Sequence, residues 1–180
     1  MNIFITGVAG FLGSHLADYF ISKGHRVYGC DNLMGGYIDN VNKDVIFYNY
    51  ECNDLNSMKK ITQNIDVIYH CAASAHEGLS SFSPYYISKN TVDASVSVFT
   101  AGISNKVNKI VFCSSMARYG DQELPYRENM SPKPLDSYGI GKVAAEKYLI
   151  NLCETHGINY TIAVPHNIIG PRQKYDDPYR

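Results

Sequence analysis

The sequence has no surplus of charge of either sign: 16 Lys and Arg stand against 17 Asp and Glu in 180 residues, and no basic block interrupts the balance. That removes the electrostatic footprint by which proteins hold a nucleic-acid backbone or an anionic membrane surface, so neither partner is expected. Long apolar runs are missing as well. None approaches a membrane span, and the N-terminal MNIFITG lacks the charged start and extended apolar stretch of a secretory signal, so a cytoplasmic location is expected. Close cysteine pairs are also absent. Cys30, Cys52, Cys71, Cys113 and Cys153 stand singly and are odd in number, which argues against a zinc site of usual spacing and against a complete disulfide framework. Reduced thiols serving as small apolar residues are expected. There is no low-complexity stretch and no linker, so residues 1–180 are expected to form one domain.

What is present is an alternation. Short apolar runs at 2–6, 26–30, 45–49, 66–72, 109–114 and 160–164 are separated by helix-like stretches at 11–23, 54–63, about 83–104 and 137–156. Several runs are too uniformly apolar for a sheet with one wet face, so parallel strands covered on both sides fit best. Asp54 is placed to cap a helix start, and Gly24 and Gly157 to stop two helices. Repeated strand, helix, strand order predicts an α/β fold, a doubly wound parallel sheet with helices on both faces. The longest irregular stretch, 115–136, is rich in proline and charge. An irregular stretch of that length inside a compact domain is expected to be functional.

The most informative local feature is FITGVAGFLGSHLADYF at 4–20. Gly7, Gly10 and Gly13 follow a strand and open a helix, the context in which G-x-x-G-x-x-G becomes a useful signal for a Rossmann-type dinucleotide site. The first glycine permits a tight turn, the second lets a pyrophosphate approach the backbone, and the third allows close helix–strand contact. Free amides at the helix start, those of Phe11, Leu12 and Gly13, then face the anion. The plainer alternative is a glycine turn kept for packing. Asp31 ends the next run, where a carboxylate can accept both hydroxyls of an adenosine ribose and repel a 2′-phosphate, favouring NAD over NADP. Its alternative is an Asx turn ahead of two glycines.

In order along the chain, TGVAGFLGSH (6–15), DNLMGG (31–36), HCAA (70–73), SSMARYG (114–120), YGIGK (138–142) and PHNIIGPRQ (165–173) resemble the extended short-chain dehydrogenase/reductases, specifically the NAD-dependent epimerase/dehydratase family and its UDP-glucose 4-epimerase branch. The resemblance covers nearly the whole sequence. It implies NAD as cofactor and a nucleoside-diphosphate sugar, a UDP-sugar first, as substrate. It further implies that Asp31 and Asn32 hold the adenosine side, that Glu51 and Cys52 take the adenine positions, and that Cys71, Ala72, Asn90 and Cys113 line the cofactor channel. Glu51 stands where the family has aspartate, which leaves Asp54 as an alternative contact. Asn167 matches the residue beside the sugar-nucleotide phosphates. The resemblance also implies a C-terminal substrate-binding region that these residues largely lack, and hence weak turnover or none by the chain alone.

Tyr138 and Lys142, at i and i+4, share one helix face. In the family's chemistry a sugar hydroxyl loses its proton as hydride leaves the same carbon. A phenol of ordinary pKa near 10 is a poor base unless a neighbouring cation favours phenolate. Lys142 is such a cation, and Ser115 can share the substrate oxygen; the alternative is an ordinary surface Tyr/Lys pair. Gly139 and Gly141 weaken the helix by on the order of 1 kcal/mol each relative to alanine, which suggests that cofactor or backbone passes closely. Dehydratases of the family follow the Ser115 position with Asp-Glu, but here Met116-Ala117 stands, and the glutamate of the decarboxylases is missing too. Oxidation at carbon 4 and return of hydride to the opposite face, an epimerisation, needs only Tyr138, Lys142 and Ser115. Rival readings are another nucleotide-sugar reductase or dehydratase of the family, a non-catalytic NAD-binding module, and a domain without ligand.

His70, His76, Glu77 and His166 match no zinc spacing, so satisfied structural histidines and no metal are expected. Arg118 and Arg172 are candidates to approach phosphates or ordinary exposed loop arginines. The helices near 83–104 and 137–156 correspond to a pair that forms homodimers in relatives. Val92, Val96 and Phe99 equally suit packing on the domain's own sheet.

Overall fold

The six apolar runs become six strands: β1 (Asn2–Thr6), β2 (Arg26–Cys30), β3 (Ile46–Tyr48), β4 (Val67–His70), β5 (Lys109–Cys113) and β6 (Asn159–Ala163). The computed structural model describes residues 1–75 and 77–174, so His76 lies outside the described residues. All strand pairs are parallel, in the order β3-β2-β1-β4-β5-β6. This is the Rossmann order, and it reverses between β1 and β4, where such sheets open a crevice beyond their carboxyl ends. Thr6 and His70, the last residues of those two strands, are partners in register.

The helices are α1 (Phe11–Ser22), α2 (Leu55–Ile61), α3 (Glu77–Phe82), α4 (Pro84–Ser88), α5 (Ala94–Ser104) and α6 (Ser137–His156). One sheet face carries α2, α5 and α6 over a core that includes Phe4, Ile68, Phe99, Ile110, Phe112 and Leu149, all fully buried. Side chains of this size stabilise the fold by about 1.5–3 kcal/mol each on burial. The other face packs α1 against Ile3, Ile5 and Val27. Helices therefore lie on both faces, as the alternation predicts. β6 is the exception to full cover: Thr161 and Ala163 are exposed, while Tyr160 and Ile162 pack on the core. Phe99 is buried in the domain's own core, and Val92 and Val96 are half-buried.

Helix ends follow local chemistry. Asp54 caps α2, accepting from the amides of Asn56 (3.1 Å) and Ser57 (3.2 Å). Gly24 and Gly157 take positive φ, 76° and 67°, after α1 and α6. The predicted helix at 83–104 is three pieces, because five residues, Lys89–Asp93, form a π-helical turn between α4 and α5. The sequence gives no sign of α3; Pro84, at the first position of α4, separates the two. Most of 115–136 is irregular, with one 3-10 turn at Met116–Arg118.

Asp136 caps α6, its Oδ1 accepting from the Gly139 amide at 2.8 Å. Asp136→Ala should lower the unfolding free energy by about 1 kcal/mol, and Asp136→Asn by much less, in urea titrations with unchanged m-value. Equal losses in both variants would mean that the cap is not what fixes this helix start.

Candidate active site

Gly7 has φ +69°, and a Cβ there would lie 3.0 Å from the backbone N and Cα of Ala72. A Cβ on Gly13 would run into the Gly7 carbonyl. Both glycines are thus fixed by close backbone approach. The turn hangs from the end of β2: the Gly7 and Val8 amides donate to the Cys30 carbonyl at 2.8 and 3.3 Å. Gly10 precedes α1 without a side-chain cap, and no acidic residue occupies the first turn. The first amides of a helix lack intrahelical partners, so those of Phe11, Leu12 and Gly13 remain available to an anion.

Asp31 is nearly buried and accepts from the Ala9 amide (3.0 Å) and the Leu33 amide (2.8 Å). Burial pushes its carboxyl above the ordinary range, and the surrounding backbone amides pull it back. The Asx turn weighed against a ribose contact is real, and the Asn32 side chain forms a second one with the Met34 amide at 3.1 Å. Neither excludes the other role, because a carboxylate has about four acceptor positions and Asp31 borders the cleft as well as these amides.

At the other half of the edge, Lys142 Nζ donates to the Cys113 carbonyl at 2.7 Å and lies 4.8 Å from the Phe112 ring centroid and 5.8 Å from that of Tyr138. Lys142 is 2% exposed and Tyr138 6%, which is not the ordinary surface pair. Ser115 Oγ accepts from the Ala117 amide at 3.2 Å, capping the 3-10 turn. Asn90 sits on the π-helical turn and donates to the Tyr86 carbonyl at 2.9 Å. π-Helical turns occur preferentially at functional sites.

One cleft of about 790 Å³ runs across the carboxyl edge. On the β3-β2-β1 half it is lined by Gly7, Gly10, Phe11, Leu12, Gly13, Asp31, Asn32, Glu51 and Cys52. On the β4-β5-β6 half Cys71, Ala72, Asn90, Cys113, Ser115, Tyr138, Lys142 and Asn167 line it. The glycine turn, Asp31, Asn32, Glu51 and Cys52 therefore share one cleft with Tyr138, Lys142, Ser115 and Asn167, while three alternative candidates do not join it. Asp54 does not line the cleft; its carboxylate is committed to α2 and to the Ser57 hydroxyl at 2.6 Å. Arg118 and Arg172 are not free loop arginines: Arg118 pairs with Glu146 at 3.2 Å and Arg172 with Asp18 at 2.7 Å. Gly139 and Gly141 are small for packing, since their Cβ atoms would meet the Ala117 carbonyl (2.8 Å) and the Thr91 side chain (3.3 Å).

Comparison with known proteins gives the family of the chain. Residues 3–180 match the NAD dependent epimerase/dehydratase family. The chain belongs to that family. A UDP-glucose 4-epimerase of Halalkalibacterium halodurans is 32% identical over 94% of the chain and 52% of its own length. A UDP-glucuronic acid decarboxylase of Arabidopsis thaliana is 31% identical over 98% of the chain and 53% of its own. Among solved structures, the UDP-glucose 4-epimerase of Thermotoga maritima with UDP-glucose superposes with a TM-score of 0.95 at 31% identity, covering all of this chain and 60% of that one. The chain thus spans a little over half the length of these members of the NAD-dependent epimerase/dehydratase family.

NAD, the family's cofactor, fits what is present. The glycine cradle would be closed by a Cβ at Gly7, the first amides of α1 have no cap, and the buried Asp31 carboxylate borders the same cleft.

Two supporting residues went unread in the sequence, Thr6 and Glu146, while His70 is the satisfied structural histidine expected there. Thr6 Oγ1 accepts from the Cys71 and Ala72 amides, each at 3.1 Å, and meets His70 Nδ1 at 2.7 Å. His70 Nε2 lies 3.0 Å from Ser95 Oγ, whose proton goes to the Thr91 carbonyl. The Thr6 hydroxyl therefore donates to Nδ1, and Nε2 carries the proton. Burial first, and Lys142 second, push the imidazole pKa down to about 3, so His70 is neutral. Position was the available signal: Thr6 directly precedes Gly7, and Glu146 lies four residues beyond Lys142.

Because the folded-state pKa lies below the ordinary 6.5, the unfolded chain binds the extra proton first. Stability is full above pH 6.5 and falls progressively as pH drops toward 3. From pH 7 to pH 5 this group should remove about 2 kcal/mol. His70→Gln should lose less stability than wild type by about that amount over the same interval in urea titrations. Parallel losses would show that His70 titrates normally in the fold.

Proposed function

We propose that this chain forms the cofactor-binding and proton-transfer part of an NAD-dependent epimerase acting at carbon 4 of a nucleoside-diphosphate sugar, with a UDP-sugar as substrate. The observation that carries the reading is that Tyr138, Lys142 and Ser115 line the same cleft as the glycine turn and Asp31. A binding module has no need of the first three.

Bound NAD would supply the hydride acceptor and donor for the sugar carbon. Tyr138 removes the proton of the hydroxyl on that carbon and gives it back after the keto sugar has turned its other face. Lys142, held against the Cys113 carbonyl, stabilises negative charge developing on the phenol oxygen and offers its remaining donors to the nicotinamide ribose. Ser115 hydrogen-bonds the substrate oxygen and passes the proton. The cover given by Phe112 and the low exposure of Tyr138 and Lys142 keep water from screening these charges. Met116 and Ala117, next along the chain, carry no proton-transfer group, which favours epimerisation over dehydration and over the decarboxylation named for the Arabidopsis relative.

The test is calorimetric titration with NAD, followed by conversion of UDP-glucose to UDP-galactose. Tyr138→Phe should leave the NAD Kd within about threefold and lower the chain's turnover, itself expected to be weak, by ~10²–10⁴. Undiminished turnover in Tyr138→Phe would remove the assigned base. Failure of the wild-type chain to bind NAD would remove the whole reading.

A further inference from the structure

Cys30 and Cys52, 22 positions apart, meet with their sulfurs 3.7 Å apart. Both are free thiols. Cys30 is fully buried at the end of β2, while Cys52 is half-buried on the turn before α2 and lines the cleft. The two are unequal in freedom. Cys30 is held by its strand and by the two amides of the glycine turn on its carbonyl. Cys52 lies on a turn, outside any regular element. A disulfide needs the sulfurs to close from 3.7 Å to about 2.05 Å.

We propose that Cys30 and Cys52 are a thiol–disulfide exchange site, which a low-molecular-weight disulfide oxidises to an intramolecular bridge that draws Cys52 away from the cleft. The effect on the cleft rests on the function proposed above, in which Glu51 and Cys52 border the adenosine side; formation of the bridge does not.

The Cys52 thiolate attacks one sulfur of the small disulfide, forming a mixed disulfide and releasing one small thiolate. Cys30 then gives its proton to that thiolate and attacks the Cys52 sulfur, expelling the second. Two protein thiols are oxidised and one small disulfide is reduced to two thiols. Contact with Cys52, and then burial, hold the Cys30 thiol well above its ordinary pKa. Cys52, facing the cleft, is therefore the first to react, and closure by Cys30 is the slow step.

The test uses oxidised glutathione on the chain, alkylation of remaining thiols and peptide mapping, with NAD titration before and after. The expected result is a Cys30–Cys52 cross-linked peptide two hydrogens lighter than its parts, and an NAD Kd raised at least about threefold and restored by dithiothreitol. Cys30→Ala should give no cross-link, and Cys52→Ser supplies the same mapping control if the buried substitution fails to fold. A glutathione adduct on Cys52 with Cys30 still alkylatable, or a bridge that excludes Cys30, overturns the exchange site. An unchanged NAD Kd in fully bridged protein overturns the coupling to the cleft. Absence of NAD binding in the reduced chain sinks the proposed function instead, and the cross-link map still decides the thiol pair.

Discussion

The crevice depends on one hydrogen bond, from the Thr6 hydroxyl to His70 Nδ1. Because that proton points to the imidazole, both lone pairs of the threonine oxygen are left for the amides of Cys71 and Ala72. Those amides would otherwise continue the ladder beside β1. Taking them out of the sheet ends β4 at His70 and turns the chain across the top of β1, where Ala72 comes against Gly7. A protonated imidazole would donate from both nitrogens and reverse the threonine, so a buried neutral histidine is part of the architecture.

With the crevice open, the two halves of the sheet edge do different work. The β1 and β2 side is built of backbone: glycines, uncapped amides and a carboxylate held in place by two N–H groups. Asp31 ties β2 to the glycine turn, so its structural bonds and its exposure to the cleft come from the same placement. The β4, β5 and β6 side is built largely of side chains, with Tyr138 and Lys142 on α6 and Ser115 capping the short 3-10 turn just beyond β5. Positions that must be accurate to fractions of an ångström are better held on such elements than on free loops.

Much of this was legible in the sequence because its causes are local. A strand run into spaced glycines, a carboxylate at the next strand end and a tyrosine four before a lysine each report a geometry that a few neighbouring residues fix. What escaped depends on partners far along the chain. The run at 66–72 reads as one strand, but its last residues obey Thr6, more than 60 positions earlier. Gly139 does meet closely passing backbone, the Ala117 carbonyl, as its helix cost suggests, whereas Gly141 makes room for the Thr91 side chain instead. Arg118 reads as a phosphate contact or an exposed loop arginine and is neither, because Glu146 on α6 lies beneath it. Cys30 and Cys52 read as single thiols because only the pairing of β2 with β3, and the turn that follows, brings them into contact.

The pair formed by Arg118 and Glu146 shows how Ser115, Tyr138 and Lys142 are kept in one arrangement. Glu146 is nearly buried on α6, on the face of Tyr138 and Lys142, and it also accepts from the Ser114 hydroxyl. It therefore grips both ends of the segment that carries Ser115, one through Ser114 and one through Arg118. A buried ion pair adds little to net stability, since desolvation offsets most of the attraction, but leaving one partner alone costs about 3–5 kcal/mol. Such a pair tolerates one arrangement and penalises the rest. Here the favoured arrangement fixes the end of β5 to α6, and with it the distance between Ser115 and Tyr138, so the charge buried in the scaffold acts on register more than on stability.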